Sequence, residues 1–142
     1  MIVRNLRLYG WDWDIVALYD IVPSDVDYVL DELKRFDCPT SMLHKAKRNV
    51  CKGWPNNGLT YTSNKKRASV MVIGRATCPS QFWNTLDHEK GHVAEHIAEY
   101  YNLDHRGEEI EYLKGLIAER VYPEAVRFIC GCFNNNEGRP HT

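Results

Sequence analysis

The sequence predicts an α+β domain, a small mixed or antiparallel sheet packed on helices. Three observations carry that reading. Short runs rich in β-branched and apolar residues occur in the first twenty residues and again between 59 and 74. From residue 80 onward the apolar residues instead recur at helical spacing. The chain has 142 residues, enough for one core and too few for two ordinary domains. Residues 1–133 are read as a single domain, and the polar stretch 134–142 as a loose tail.

The elements follow in order. Val3, Leu6 and Leu8, then Ile15 to Tyr19, predict two strands around the turn Gly10-Trp11-Asp12-Trp13-Asp14. Ser24, after Pro23, is placed as a helix N-cap, with Asp25 and Asp27 in the first turn. Val26, Val29, Leu30, Leu33 and Phe36 give that helix its apolar face, and it should end near Asp37, ahead of Pro39. Met42 to Val50 reads as helical, and Gly53 to Gly58 as a loop. Leu59–Thr62 and Ser69–Gly74 form a strand pair around the tip at Asn64–Arg67. Phe82, Leu86, Val93, Ile97 and Tyr100 or Tyr101 define one long helix from Ser80 to near Asn102. After the loop Leu103–Arg106, Ile110, Leu113, Leu116 and Ile117 line another helix. Pro123 should break or restart it, giving a last helix at Glu124–Cys132.

Bulk properties narrow the function. The formal net charge is -1, so the chain as a whole has no attraction for nucleic acid or anionic lipid. The basic residues Lys45, Lys47, Arg48 and Lys52 form one local cluster. Lys65-Lys66-Arg67 forms another, read as a solvated turn. Met1–Asn5 lacks a basic leader followed by a long apolar run, so no signal peptide is expected. No apolar stretch has the length of a membrane span. Cysteines 38, 51, 78, 130 and 132 form no CxxC pair and read as buried or incidental thiols of a reducing compartment. Tryptophans 11, 13, 54 and 83 are expected mainly in the core.

The chemistry is concentrated in His88-Glu89-Lys90-Gly91-His92. Two histidines at i and i+4 on a helix project about 40° and roughly 6 Å apart, so both imidazoles can converge on one zinc ion. The glutamate between them can reach a metal-bound water without itself being a ligand, which is the HExxH arrangement of metallopeptidases. Six histidines and ten glutamates in 142 residues give about 0.02 such matches by chance. Gly91 is unusual inside a helix and suggests that another element packs close to it.

A catalytic zinc needs a third protein ligand beside an open position. Glu108, Glu109, Glu111, His105 and His96 are the candidates. His96 lies about 12 Å along the helix from His88, too far to share one ion with both motif histidines. Ala98 occupies the place where a metzincin has its third histidine, which excludes that class. A carboxylate from the next helix, as in gluzincins, fits better. The acids at 108, 109 and 111 are equally what the dipole of a helix start favours. A cysteine ligand at Cys78 ranks below them.

Three stretches carry a resemblance: Ser69–Ala76, Phe82–Glu89 and Gly107–Gly115 with its Glu-x-x-x-Tyr-Leu pattern. Over residues 58–120 the chain resembles small zincin-type peptidases encoded by bacteriophages and prophages of gut bacteria. The resemblance implies a minimal zincin-like domain and a zinc ion on His88, His92 and Glu108, with Glu109 as the alternative ligand. It also implies a strand at Val70–Ile73 beside the active-site helix that pairs with an extended substrate; an interior strand is the competing reading of the same residues. The implied activity is hydrolysis of peptide bonds by metal-activated water, with Glu89 as general base and Tyr112, His105 or His96 beside the oxyanion. A half-buried packing role is the stronger reading of Tyr112. The implied partners are a peptide or protein substrate and phage virion or host proteins, in the bacterial cytoplasm or on the virion, with no nucleic acid and no membrane. The rival reading is a phage interaction protein that keeps the fold and cleaves nothing. A nucleic-acid binder using Lys45–Lys52 ranks last.

Overall fold

Residues 1–130 are described by a computed structural model. The chain forms strands β1 (Ile2–Leu8) and β2 (Trp13–Ile21), then helices α1 (Val26–Arg35) and α2 (Thr40–Lys52). Strands β3 (Gly58–Ser63) and β4 (Ala68–Gly74) follow, and then helices α3 (Pro79–Tyr100) and α4 (Glu108–Ile129). The architecture is α+β, as the sequence predicts.

In β2 both parities are apolar, which places that strand in the interior of a sheet covered on both faces. The sheet order is β1-β2-β4-β3. β1 pairs antiparallel with β2, β2 parallel with β4, and β3 antiparallel with β4. Ile15, Ala17, Tyr19, Met71 and Ile73 face one way and pack on Phe82, Leu86, Val93 and Ile97 of α3 and on Leu113 and Ile117 of α4. Val16, Leu18, Val70 and Val72 face the other way, onto Val29 and Leu33 of α1 and Ala46 of α2. The result is three layers: helix pair, sheet, helix pair.

Several expectations are corrected. Val70–Ile73 is not an edge. β4 is hydrogen-bonded on both sides, and β3 is the outer strand beside it. Periodicity reports which faces are buried and carries no information on which edge is free. Ser24 does not cap α1 through its side chain. Pro23–Asp25 form a 3-10 turn, and Asp25 Oδ2 accepts the backbone N–H of Val22 at 3.0 Å. Pro123 does not break α4, which runs unbroken to Ile129. Proline removes one backbone bond. The buried stripe Ile110, Leu113, Ile117, Val121 and Ala125 continues through it at spacings of three and four, so packing holds the helix together. Of the tryptophans only Trp13 is fully buried, while Trp54 and Trp83 are exposed. Of the cysteines Cys38 is buried, while Cys51 and Cys78 are exposed. The tail at 134–142, Cys132 and the end of the expected last helix lie outside the described residues.

Candidate metal centre

Helix α3 begins at Pro79 and buries Phe82, Leu86, Val93 and Ile97 against the sheet. That anchoring rotates the remaining residues of the motif into place. Glu89 falls on the side facing β3, while His88 and His92 lie further round, toward solvent. Their Nε2 atoms stand 3.0 Å apart. Two nitrogens on one tetrahedral zinc, each at about 2.0–2.1 Å, are separated by about 3.3 Å. The pair therefore fits one ion.

Glu89 is only 4% exposed, a burial that charged side chains seldom reach without a partner. Its partner is Thr60 of β3, whose hydroxyl donates to Oε1 at 2.9 Å. Gly58, two residues earlier on the same face of β3, makes the room. A Cβ there would lie 2.7 Å from Glu89 Oε2 and 2.8 Å from its Cγ. Thr85 of α3 donates to the carbonyl of Asn56 at 3.2 Å and so ties the loop before β3 to the motif helix. Asn56, Asn57, Gly58, Asn84, Thr85, His88 and Glu89 together line an open polar cleft.

His96 extends the row by one more turn. Its ring stacks on His92 at 6.2 Å, and its Nδ1 lies 2.8 Å from Thr62 Oγ1 of β3. Burial pushes the His96 imidazole below its ordinary range; Glu99 and Glu95 oppose that shift and His92 adds to it. Gly58, Thr60 and Thr62 thus present one face of β3 to α3. Sequence reasoning missed all three. Their signal is a small or hydroxyl residue at every second position.

The remaining site candidates are not brought to the pair. Glu108 and Glu109 are exposed in the first turn of α4. The α4 residues beside Gly91 are Lys114 and Ile117, which share a pocket with Asp87 and Lys90. Glu108 stands six residues, about 9 Å, before Lys114 along the helix. Among the described residues no group of three or more His, Cys, Asp or Glu is placed to hold a metal ion. Tyr112 is 72% exposed, so it is not the half-buried packing residue expected of it, and His105 is exposed in the loop before α4. Cys78 is the residue before α3 and bonds to Ser80. Gly91 admits no close neighbour, since a Cβ there would meet nothing within 4 Å. The close approach is at Gly58 instead.

No protein-family model, curated protein or solved structure matches this chain.

Proposed function

We propose that this protein is a zinc-dependent peptidase. The observation that carries the reading is the convergence of His88 and His92 Nε2, 3.0 Å apart, beside the buried carboxylate of Glu89. Zinc held there supplies Lewis acidity, polarising a carbonyl and acidifying a water. The chain's own residues do the rest. Glu89 Oε1 is engaged by Thr60, so Oε2, the oxygen over Gly58, takes the proton and returns it to the leaving amine. β3 borders α3 and, among the described residues, is bonded on one side only, to β4. Its other edge is suited to an extended peptide added as a further strand. In this reading a carboxylate from the start of α4 completes the ligand set. Glu108 is the candidate from the resemblance, with Glu109 as its alternative. Glu111, the third acid of that turn, stands one turn from Lys114 and is bonded to it at 3.4 Å, three residues nearer than Glu108 to the pocket Lys114 shares with Gly91.

A second reading is a structural or interaction protein of a phage that keeps this fold, with or without zinc, and cleaves nothing. It is favoured by the separation of Glu108 and Glu109 from the histidine pair. One experiment divides the two: untagged wild type and Glu89→Gln are assayed for zinc by elemental analysis and for cleavage of a peptide library. The peptidase reading expects about one zinc per chain in both proteins and cleavage by wild type alone. Full cleavage by Glu89→Gln removes Glu89 from the mechanism. Zinc without cleavage in either protein favours the interaction protein. A wild type that takes up no zinc refutes the peptidase reading and favours the interaction protein.

A further inference from the structure

The three histidines on α3 are one turn apart, but the third is held differently from the other two. Behind His96 runs a chain of hydrogen bonds. Trp13 Nε1 donates to Ser69 Oγ at 3.1 Å, Ser69 Oγ lies 2.8 Å from Thr62 Oγ1, and Thr62 Oγ1 lies 2.8 Å from His96 Nδ1. Trp13 and Ser69 are fully buried.

The chemistry of the first member sets the direction of the whole chain. An indole N–H donates and cannot accept. Ser69 Oγ is therefore an acceptor at that end, and its own proton needs an acceptor, because buried hydroxyls are paired. Thr62 Oγ1 is the other partner that Ser69 Oγ has among the described residues. Ser69 then donates to Thr62, and since His96 Nδ1 is the one other partner of Thr62 Oγ1 among the described residues, the Thr62 proton goes to that ring nitrogen. Run the other way, the Ser69 oxygen would accept twice while its proton had no acceptor. A ring nitrogen that accepts is unprotonated, so the proton of the neutral imidazole sits on Nε2.

We propose that the chain Trp13–Ser69–Thr62 holds His96 as an Nε2–H donor, which bonds a carbonyl of a peptide lying along the free edge of β3 and does not ligate the metal. The carbonyl half rests on the peptidase reading; the tautomer half does not. An Nε2 that carries a proton has no lone pair for zinc. Moving that proton to Nδ1 would set it against the Thr62 hydroxyl. The third histidine of the row is thereby separated in role from the first two, and Thr62, Ser69 and Trp13 are positioning residues.

The test begins with two-bond 1H–15N correlation spectra of the histidine rings in the full chain. The His96 assignment is checked by its loss in His96→Gln. Wild type is expected to show an unprotonated Nδ1 and a protonated Nε2, and Thr62→Val to shift toward a mixture of the two tautomers. A proton on Nδ1 in wild type, or a Thr62→Val spectrum identical to wild type, overturns the proposal. A second arm uses zinc content and peptide-library cleavage. His96→Gln, whose amide can still donate, is expected to keep its zinc and most of the rate, whereas His96→Leu keeps zinc and loses about a hundredfold in rate. Zinc loss in His96→Gln would show that His96 is a ligand. A wild type that cleaves nothing overturns the carbonyl half together with the peptidase reading, while the tautomer result is decided by the spectra alone.

Discussion

Glu89 occupies the space that a side chain on residue 58 would fill. A Cβ on Gly58 would come within 2.7 Å of Glu89 Oε2, 2.8 Å of Cγ and 3.0 Å of Cδ. The backbone at Gly58 is not in the left-handed region, so alanine is resisted there by this one contact and not by conformation. Gly58→Ala is expected to displace the carboxylate from Thr60 and to cost about 1–3 kcal/mol, the usual range for overpacking. In a Glu89→Ala background the same substitution should cost at least about 1 kcal/mol less, because the obstructed side chain is gone. Urea unfolding of the four proteins measures this coupling. Equal costs in the two backgrounds would show that the contact does not govern residue 58.

The metal set follows from the register of the two long helices. His88→Ala and His92→Ala are each expected to lose bound zinc, since each removes one of the two converging nitrogens. Lys114 and Ile117 border the same pocket as Gly91, and Glu111, one turn before Lys114, is nearer to that pocket along α4 than Glu108 is. Of Glu108, Glu109 and Glu111, the one that completes the site should, when replaced by alanine, weaken zinc binding by at least the roughly tenfold that losing a ligand-supporting group costs, with the other two close to wild type. Competition with a chromogenic chelator gives the affinities. A loss confined to Glu108→Ala would assign the ligand that the family resemblance implies, and no loss in any of the three would refute a ligand from the start of α4.

What the sequence made legible was whatever depends on neighbours along the chain. The apolar spacing of Phe82, Leu86, Val93 and Ile97 locates α3, and the His88–His92 interval locates the pair, because both are consequences of 3.6 residues per turn. Strand order is a different kind of fact. β3 rather than β4 is the edge because β2 pairs in parallel with β4, a contact between residues more than fifty apart. The partners of Glu89 and His96 lie on β3, and the chain behind His96 begins at Trp13, so each depends on that same long-range register. Pro123 misled for the opposite reason: its local preference is overridden by a buried stripe that continues on either side of it.

Two thiols should react in a fixed order. Cys78 precedes α3, where the Ser80 hydroxyl and the backbone N–H of Gln81 pull its pKa below the ordinary cysteine range. Burial pushes that of Cys38 up. The thiolate is the reacting species. Iodoacetamide near pH 7.5, followed by peptide mass mapping, is therefore expected to label Cys78 well before Cys38. Ser80→Ala should slow Cys78 by removing the largest of the groups that lower it. Labelling of Cys38 as fast as Cys78 would contradict both the burial and the hydrogen bonding described.

Asp20 and Arg75 tie the end of β2 to the segment that leads into α3. Arg75 Nε and Nη2 donate to the two carboxylate oxygens at 2.8 and 3.0 Å. Asp20 sits at φ 59°, where the pairing of β2 with β4 shifts register between Leu18 and Ile21. Aspartate and asparagine tolerate that backbone better than most residues, so Asp20→Asn removes the charge without adding strain. The guanidinium holds the Asp20 pKa below its ordinary range. A depressed folded pKa means that the stabilisation is fully present above the unfolded value, near pH 4, and is lost as pH falls through the lower folded value. Both side chains are partly exposed, which limits the effect to about 1 kcal/mol or less. Wild type should accordingly exceed Asp20→Asn in urea stability by that amount at about pH 6, and the difference should shrink below about pH 3. A gap that stays constant across this range would assign the contribution of Asp20 to its backbone conformation and not to its charge.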